Sequence, residues 1–216
     1  MATALFDLDR TLIDCNSARL WAAAEWREGR IGLRDVAWAG YWLSRYGLGY
    51  AEGIEGAIEA AVRSVAGAPE AEIDARVRAW FTREVAHRRR PGTAEVLERH
   101  RAQGDRLVLA TSGTVYAARA AGEAFGIDTV IGTTLEVVDG RFTGRVATSC
   151  VGPGKTKAVE DWAAAAGADL DGAWFYTDSA SDLTLLERVA HPVVVHPDRT
   201  LRRIATTRGW PIVSWG

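Results

Sequence analysis

The hydrophobic positions of this chain change their spacing twice along its length. The first apolar stretch, residues 4–6, is short enough for a buried strand and runs directly into polar residues. From about residue 17 to residue 86 the apolar residues recur at helical spacing, as in the series Leu20, Ala24, Val36, Ala39, Leu43 and Tyr46. The pattern therefore predicts one strand followed by an all-helical segment.

Strands and helices alternate after the Pro91-Gly92 step. The pattern predicts helices over residues 93–103, 115–125, 155–166 and 183–189, and strands over residues 107–110, 129–131, 173–176 and 193–195. The Asp139-Gly140 step between β-prone flanks predicts a hairpin over residues 135–147. This alternation is typical of an α/β, Rossmann-like core in which helices flank a parallel sheet.

The length of the chain agrees with this organisation. At roughly 150 residues per domain, 216 residues correspond to about one and a half domains, so one core with a sizeable insertion is expected. We predict a core made of residues 1–16 and 89–216. Residues 17–88 would form an all-helical unit inserted after the first strand.

Composition and charge exclude several classes of protein. Hydrophobic residues make up 48% of the chain and charged residues 25%, which is typical of globular proteins. The 26 basic and 28 acidic residues nearly balance, so we expect no nucleic-acid partner. Early aspartates and the lack of a run of about 18 apolar residues indicate neither a signal peptide nor a membrane span, so we expect a cytoplasmic protein. Cys15 and Cys150 are too few for a disulfide framework.

Polar side chains follow three of the predicted strands. In an open α/β sheet, ligands bind beyond the carboxyl ends of the strands, so these side chains are expected to converge on one site. The candidates are Asp7 and Asp9, Thr111 and Ser112, and Asp178 and Asp182.

The residue types in this set indicate phosphoryl transfer. Clustered carboxylates are ligands that suit Mg²⁺, and without a cation their mutual repulsion would raise their pKa values. An aspartate is also a competent nucleophile toward phosphorus, and a second aspartate can supply and withdraw protons. Lys155 adds a compact positive charge, and all other basic residues of the chain except Lys157 are arginines.

At this point the sequence resembles the haloacid dehalogenase superfamily. Its four motifs are similar to Asp7-Leu8-Asp9-Arg10-Thr11, Thr111, Lys155 and Asp178-Ser179-Ala180-Ser181-Asp182. The helical insert resembles a type-one cap, and the stretches Asp139 to Gly144 and Gly152 to Lys155 resemble the subgroup, subfamily IB, that contains phosphoserine phosphatase. The resemblance implies a Mg²⁺-dependent phosphatase that acts on a small phosphomonoester.

The resemblance also implies residue roles. Asp7 would attack phosphorus, and Asp9 would protonate the leaving alcohol and then activate water. Lys155 would neutralise the nucleophile and the phosphate, while Thr111 would bind a phosphoryl oxygen, with Ser112 left as an alternative. Mg²⁺ would be held by Asp7, the main-chain carbonyl of Asp9, and Asp178, with support from Asp182.

One position departs from the subgroup. Its members carry an acidic residue nine positions after the nucleophile, which faces the ammonium group of phosphoserine, and here that position is Asn16. Asp14 could compensate from nearby. We therefore expect Asn16 and Asp14 to contact the substrate, and we expect a phosphorylated amino alcohol or other small alcohol rather than phosphoserine.

Three other functions share part of this pattern. A phosphotransferase would hand the same aspartyl-phosphate to an acceptor alcohol, and a receiver-like module would bind phosphate without turnover. The segment 149–156 nearly fits a nucleotide-binding phosphate loop, but Ser149 stands where the first glycine is needed. Oligomeric state is left open, with a homodimer as one alternative.

Overall fold

A seven-stranded sheet forms the centre of the structure. The structure is a computed structural model that describes residues 2–32 and 62–216. The helix predicted around Val36, Ala39, Leu43 and Tyr46 lies outside the described residues. The strands of the sheet are β1 (Thr3–Phe6), β2 (Arg106–Thr114), β3 (Thr129–Val138), β4 (Arg141–Thr148), β5 (Trp174–Thr177), β6 (His191–Val195) and β7 (Ile212–Val213).

The strand order in the sheet is β4-β3-β2-β1-β5-β6-β7. All neighbouring strands are parallel except β3 and β4, which form an antiparallel hairpin around Asp139 and Gly140. Both turn residues have positive φ, as a tight hairpin turn requires. The predicted α/β architecture and the predicted hairpin are confirmed.

The described helices cover both faces of this sheet. They are α1 (Ser17–Arg27), α2 (Glu70–Trp80), α3 (Pro91–Ala102), α4 (Val115–Phe125), α5 (Pro153–Ala166), α6 (Leu183–Arg188) and α7 (Arg199–Arg208). A π-helical turn, Phe81–Val85, and a 3-10 turn, Ala86–Arg88, follow α2.

Strand β1 is fully buried because it lies in the middle of the sheet. Its side chains alternate between the two faces: Ala4 and Phe6 belong to one hydrophobic cluster and Leu5 belongs to the other. Phe6 stacks on Tyr176 of β5 with ring centroids 4.8 Å apart. The central strand therefore delivers the residues that follow it to a fixed place at the sheet edge.

Two elements near the C-terminus were not predicted. Helix α7 is rich in arginine and strongly polar overall, and it buries only Leu201 and Ala205, so few apolar residues mark it in the sequence. Strand β7 has two residues and lies at the edge of the sheet. A signal for α7 was present in Asp198, whose side chain caps the helix by accepting a hydrogen bond from the Leu201 N–H over 2.7 Å.

The chain enters and leaves the helical insert, residues 17–88, at adjacent points. Ile13 forms an antiparallel bridge with Arg89, and the Arg90 N–H donates to the Leu12 carbonyl over 2.9 Å. Within the described part of the insert, the named elements are all helical. The boundaries of core and insert stay a prediction.

No helix within the described residues is both long and apolar enough to span a membrane. Cys15 and Cys150 are both free thiols, and Cys150 is buried.

Candidate active site

A cleft opens at the carboxyl ends of β1, β2 and β5. The residues that line it are Asp7, Asp9, Arg10, Asn16, Arg19, Thr111, Ser112, Lys155, Asp178, Ser179, Ser181, Asp182 and Asp198. The sequence-predicted candidates thus meet in one place, apart from Asp14. The strands bring them together because their carboxyl ends share one edge of the parallel sheet.

Asp7 lies at the floor of the cleft. Its N–H donates to the Tyr176 carbonyl over 2.9 Å, which continues the pairing of β1 with β5. Its side chain is buried, with Oδ1 bound to Lys155 and Oδ2 accepting a longer hydrogen bond, 3.3 Å, from Thr11 Oγ1. These two contacts fix the orientation of the carboxylate, and Oδ2 makes only the longer hydrogen bond.

Lys155 enters the cleft from the first turn of α5. Its side chain is 1% exposed, and Nζ donates to Asp7 Oδ1 and to Asp182 Oδ2 over 2.8 Å each. A cation at the start of a helix is poorly placed with respect to the helix dipole, so two carboxylates are needed to hold it there. Thr177 Oγ1 also donates to Asp182 Oδ2, over 2.7 Å.

Asp9 lies on the loop that follows β1. Its Oδ1 accepts a hydrogen bond of 2.8 Å from the N–H of Ser17, the first residue of α1. The next residue, Arg10, has a φ of 60°, a left-handed conformation that is uncommon for a non-glycine residue. The loop thus turns sharply between Asp9 and Thr11 and joins the cleft to the start of the helical insert.

Asp178 follows β5 and is buried against the same cleft. Its main-chain carbonyl accepts from the Asp198 N–H over 2.9 Å. Its carboxylate takes no hydrogen bond from any residue that the structure describes. Ser179, beside it, shares a hydrogen bond of 3.0 Å with Ser181 through their hydroxyl oxygens.

Thr111 and Ser112 both line the cleft. Thr111 is 2% exposed, and its Oγ1 accepts from the Gly113 N–H over 3.2 Å, which leaves the hydroxyl hydrogen available as a donor. The Ser112 carbonyl accepts from Thr133 Oγ1 over 2.9 Å. The pairing of β2 with β3 is irregular between Ala110 and Thr114, as at a β-bulge, and it resumes where Thr114 pairs with Thr133.

Burial dominates the electrostatics of the carboxylates. Burial raises the pKa of Asp7 to about 7, although Lys155 opposes this shift. Burial also raises the pKa of Asp9, against the hydrogen bond from Ser17, and it raises the pKa of Asp178, with the charges of Asp7 and Asp182 adding to the shift. Burial disfavours the charge of Lys155, but Asp182 and Asp7 outweigh it and hold its pKa well above the usual range. More negative charge is gathered here than one lysine balances.

The oxygen atoms fit a hard cation. Asp182 Oδ1 is buried with no hydrogen-bond partner, and the Asp178 carboxylate also has none among the described residues. Within residues 2–32 and 62–216, no three Asp, Glu, His or Cys side chains form a metal site on their own. Mg²⁺ is commonly bound by one or two carboxylates, with water and phosphate oxygens completing the octahedron.

The two predicted substrate contacts differ in position. Asn16 lines the cleft, and its Oδ1 caps α1 by accepting from the Arg19 N–H over 2.9 Å. Asp14 is exposed and is not among the lining residues, because its N–H pairs with the Arg88 carbonyl over 3.0 Å and the chain turns there.

Several lining residues were missed from the sequence. Arg10 lies inside the first motif and Arg19 lies on α1. Nothing in the sequence around either residue predicted that it would line the cleft. Asp198 follows β6, so the strand-end argument could have found it. Both of its carboxylate oxygens accept main-chain hydrogen bonds, from Ala180 over 2.8 Å and from Leu201 over 2.7 Å.

Comparison with known proteins agrees with this geometry. Residues 4–187 match the family model described as haloacid dehalogenase-like hydrolase, which confirms the resemblance found in the motifs. A histidinol-phosphatase from Neisseria meningitidis is 29% identical over 220 residues, covering 98% of this chain and 98% of that protein. The "Inhibition of morphological differentiation protein" of Streptomyces azureus is 40% identical over 123 residues, 56% of this chain. The chain spans less than half the length of the first curated relatives that it matches, 44% in this case.

Solved structures show the same fold. A protein of unknown function from Bordetella pertussis has a TM-score of 0.87 and 33% identity, covering 100% of this chain and 99% of that one. Several phosphoserine phosphatases are also similar, with TM-scores of 0.70 and 0.68 for two of them at 17% and 18% identity, a likeness that concerns the fold alone.

Proposed function

We propose a phosphatase function for this chain, which belongs to the haloacid dehalogenase-like hydrolase family. The reaction would be the Mg²⁺-dependent hydrolysis of a small phosphomonoester through an aspartyl-phosphate intermediate. The observation that carries the proposal is the buried contact of Lys155 Nζ with Asp7 Oδ1, 2.8 Å, within a group of aspartates at the strand ends. A lone structural ion pair would not need the additional carboxylates of Asp9 and Asp178 beside it.

In the first step Asp7 attacks phosphorus. A bond forms between a carboxylate oxygen of Asp7 and phosphorus, and the bond between phosphorus and the ester oxygen breaks. Lys155 holds Oδ1 of Asp7 and balances charge on the phosphoryl group, and the Thr111 hydroxyl donates to a phosphoryl oxygen. Asp9 gives its proton to the departing alkoxide, a role supported by the burial that raises its pKa and keeps it protonated to a higher pH.

In the second step water cleaves the intermediate. Asp9, now deprotonated, accepts a proton from the attacking water, and inorganic phosphate leaves while the carboxylate of Asp7 is restored. The hydrogen bond from the Ser17 N–H holds one oxygen of Asp9, so the other oxygen can serve for the proton transfers. The start of the helical insert thereby positions the acid-base residue.

The cation site would use oxygens already in the cleft. Asp7, the main-chain carbonyl of Asp9, and Asp178 would hold Mg²⁺, with Asp182 supporting them. The bound ion would neutralise charge on the phosphoryl oxygens. Among the described residues, Asp182 Oδ1 is buried without a hydrogen-bond partner, which supports this assignment.

The substrate would be a phosphorylated amino alcohol or other small alcohol rather than phosphoserine. Asn16 offers an amide where an acid would be needed to balance the ammonium group of phosphoserine. A relative that bears the name histidinol-phosphatase agrees with an alcohol phosphate as the substrate class.

Phosphate release from a panel of phosphomonoesters, measured with Mg²⁺ and with EDTA, tests the proposal. We expect Mg²⁺-dependent release from at least one small alcohol phosphate by the wild type and none by Asp7→Asn. Release of the leaving alcohol with phosphorylation of an added acceptor alcohol, in place of inorganic phosphate, would favour a phosphotransferase. A stable phosphoprotein without release would favour a receiver-like module and reject the phosphatase.

A further inference from the structure

Two arginines stand at the mouth of the cleft. Arg10, on the loop after β1, and Arg19, in the first turns of α1, both line the cleft and are exposed. Neither guanidinium makes a hydrogen bond or an ion pair with a residue that the structure describes. Both are therefore available to a ligand that fills the cleft.

The other charged residues of the cleft are differently placed. Asp7 and Asp182 are bound to Lys155, and both oxygens of Asp198 are bound to main-chain N–H groups. Asp9 and Asp178 belong to the proposed phosphoryl and cation site.

A ligand reaching outward from Asp7 would thus pass from the carboxylate floor to a positively charged mouth. Asn16, between the two arginines in sequence and also on the cleft wall, adds no negative charge. An ammonium group on the leaving alcohol would meet two cations there, whereas an anionic group would meet donors with a matching planar fork.

We propose that the leaving alcohol of the substrate carries a second anionic group, a carboxylate or a second phosphate, which Arg10 and Arg19 bind at the mouth of the cleft. The inference rests on the proposed phosphatase function and narrows its substrate class. Of the two alternatives in the proposed function, it selects the other small alcohols, in the form of phosphorylated hydroxy acids and bisphosphates, and excludes the phosphorylated amino alcohols. Binding of phosphoserine would be strengthened by its carboxylate and weakened by its ammonium group.

Four three-carbon substrates separate these contributions. Propyl phosphate carries neither charged group, 3-aminopropyl phosphate carries only the ammonium, 3-phosphonooxypropanoate carries only the carboxylate, and phosphoserine carries both. We expect 3-phosphonooxypropanoate to be hydrolysed with a kcat/KM about tenfold or more above that of propyl phosphate, since hydrogen bonds to a charged group contribute about that much. We expect 3-aminopropyl phosphate to be the poorest of the four.

Three variants test whether Arg10 and Arg19 cause the preference for a substrate with a carboxylate. Arg19→Gln removes one charge, and Arg10→Asn removes the other with a residue that tolerates the φ of 60° at this position. The preference is measured as the kcat/KM ratio between 3-phosphonooxypropanoate and propyl phosphate. We expect this ratio to fall at least about threefold in each variant, because part of the charge-assisted binding is lost. Arg203→Gln removes an exposed charge from α7 outside the cleft and should keep the wild-type ratio.

The outcomes distinguish this inference from the proposed function. If neither these four compounds nor p-nitrophenyl phosphate is hydrolysed, the phosphatase proposal fails and the inference fails with it. If hydrolysis occurs but the carboxylate gives no advantage, the inference alone is wrong. The same conclusion follows if the advantage survives in both arginine variants, or if Arg10→Asn and Arg19→Gln lower kcat/KM equally for all four substrates.

Discussion

The Nζ atom of Lys155 donates to Asp7 Oδ1 over 2.8 Å, although 148 positions separate the two residues in the chain. The contact joins the first turn of α5 to the end of β1 and is buried from solvent on both sides. The contact stabilises both side chains, because an unpaired buried charge is costly, and Lys155 has Asp182 as a second buried partner. The two residues that the resemblance assigns to nucleophile and counter-charge are therefore also a structural unit.

Replacing Lys155 with methionine should affect stability and catalysis together. Asp7 and Asp182 would face each other without a cation, and breaking a buried pair in this way costs about 3–5 kcal/mol of unfolding free energy. Loss of the counter-charge should also raise the activation barrier by about 3 kcal/mol or more. Urea denaturation and kcat/KM measure the two effects, and saturating Mg²⁺ should recover part of the stability.

Lys157→Met is the matched control for this variant. Lys157 is 75% exposed and pairs with Asp161 one turn along α5. Exposed pairs of this kind contribute about 0.5 kcal/mol or less, so stability and activity should stay near the wild type. Equal losses in both lysine variants would mean that the helix terminus, and not the contact with Asp7, requires the charge.

Asp7→Asn should abolish turnover and preserve the fold. The amide has nearly the same shape as the carboxylate but cannot attack phosphorus, and removal of a covalent-catalysis residue costs several orders of magnitude in rate. Steady-state phosphate release measures the loss, and circular dichroism checks the fold. Retention of more than about a tenth of the activity would exclude Asp7 as the nucleophile, because such deletions leave far less.

The stability of the metal-free protein should fall as the pH rises. Burial raises the pKa of Asp7 from 3.8 to about 7, so the folded state keeps a proton that the unfolded state releases near pH 4. The folded state therefore binds more protons than the unfolded state between about pH 4 and 7, and stability decreases across that window. Tm measured in EDTA at several pH values should show the decrease.

Mg²⁺ should reverse this dependence, because it binds the deprotonated carboxylates. The rise in Tm on adding Mg²⁺ should be larger at pH 8 than at pH 5, and Asp7→Asn should show a flatter pH dependence in EDTA than the wild type. A Tm that increases from pH 4 to 7 without metal, or a Mg²⁺ effect of equal size at pH 5 and pH 8, would contradict the prediction.

The position of the site could be predicted from the sequence mainly because the strands of the parallel sheet could be predicted. A short apolar run such as residues 4–6 predicts a buried strand, and parallel strands end at the same edge of the sheet, so Asp7 and Asp178 were expected at one site. The proximity of Lys155 to Asp7 was expected from the family resemblance and not from the hydrophobic pattern, because the path of the chain between β4 and α5 carries no periodic pattern. Its contact with Asp182 was not predicted at all.

Residues on loops were the least predictable. Asp14 and Asn16 are two positions apart, yet only Asn16 lines the cleft, because the Ile13 bridge to Arg89 directs the chain away at Asp14. The helix cap formed by Asn16 could have been recognised, since asparagine directly before a helical pattern is a common N-cap. Arg10 and Arg19 line the cleft because of the turns of the loop that precedes α1, and the hydrophobic pattern does not predict these turns.

Asn16→Asp should improve the use of substrates that carry an ammonium group. Aspartate is as good an N-cap as asparagine, so α1 should keep its stability while the cleft gains a negative charge. The kcat/KM ratio between phosphoserine and 3-phosphonooxypropanoate should rise by about tenfold, as a charge-assisted hydrogen bond allows. Asn16→Ala is the control, since it removes the cap, costs about 1 kcal/mol and supplies no charge. An unchanged ratio in Asn16→Asp would show that Asn16 does not face the leaving group.

Gly154→Ala should weaken the site without removing any functional group. A Cβ atom at Gly154 would lie 2.5 Å from the Ser149 carbonyl oxygen, so the turn before α5 would have to shift, and Lys155 is the next residue. Overpacking of this kind typically costs about 1–3 kcal/mol of unfolding free energy, and a displaced Lys155 should also lower kcat. Gly172→Ala is the matched control, because its Cβ would meet only the flexible carboxylate of Asp169, at 3.2 Å. Urea denaturation and kcat on a substrate hydrolysed by the wild type measure both changes. If Gly154→Ala and Gly172→Ala behave alike, the close approach to Ser149 does not position Lys155.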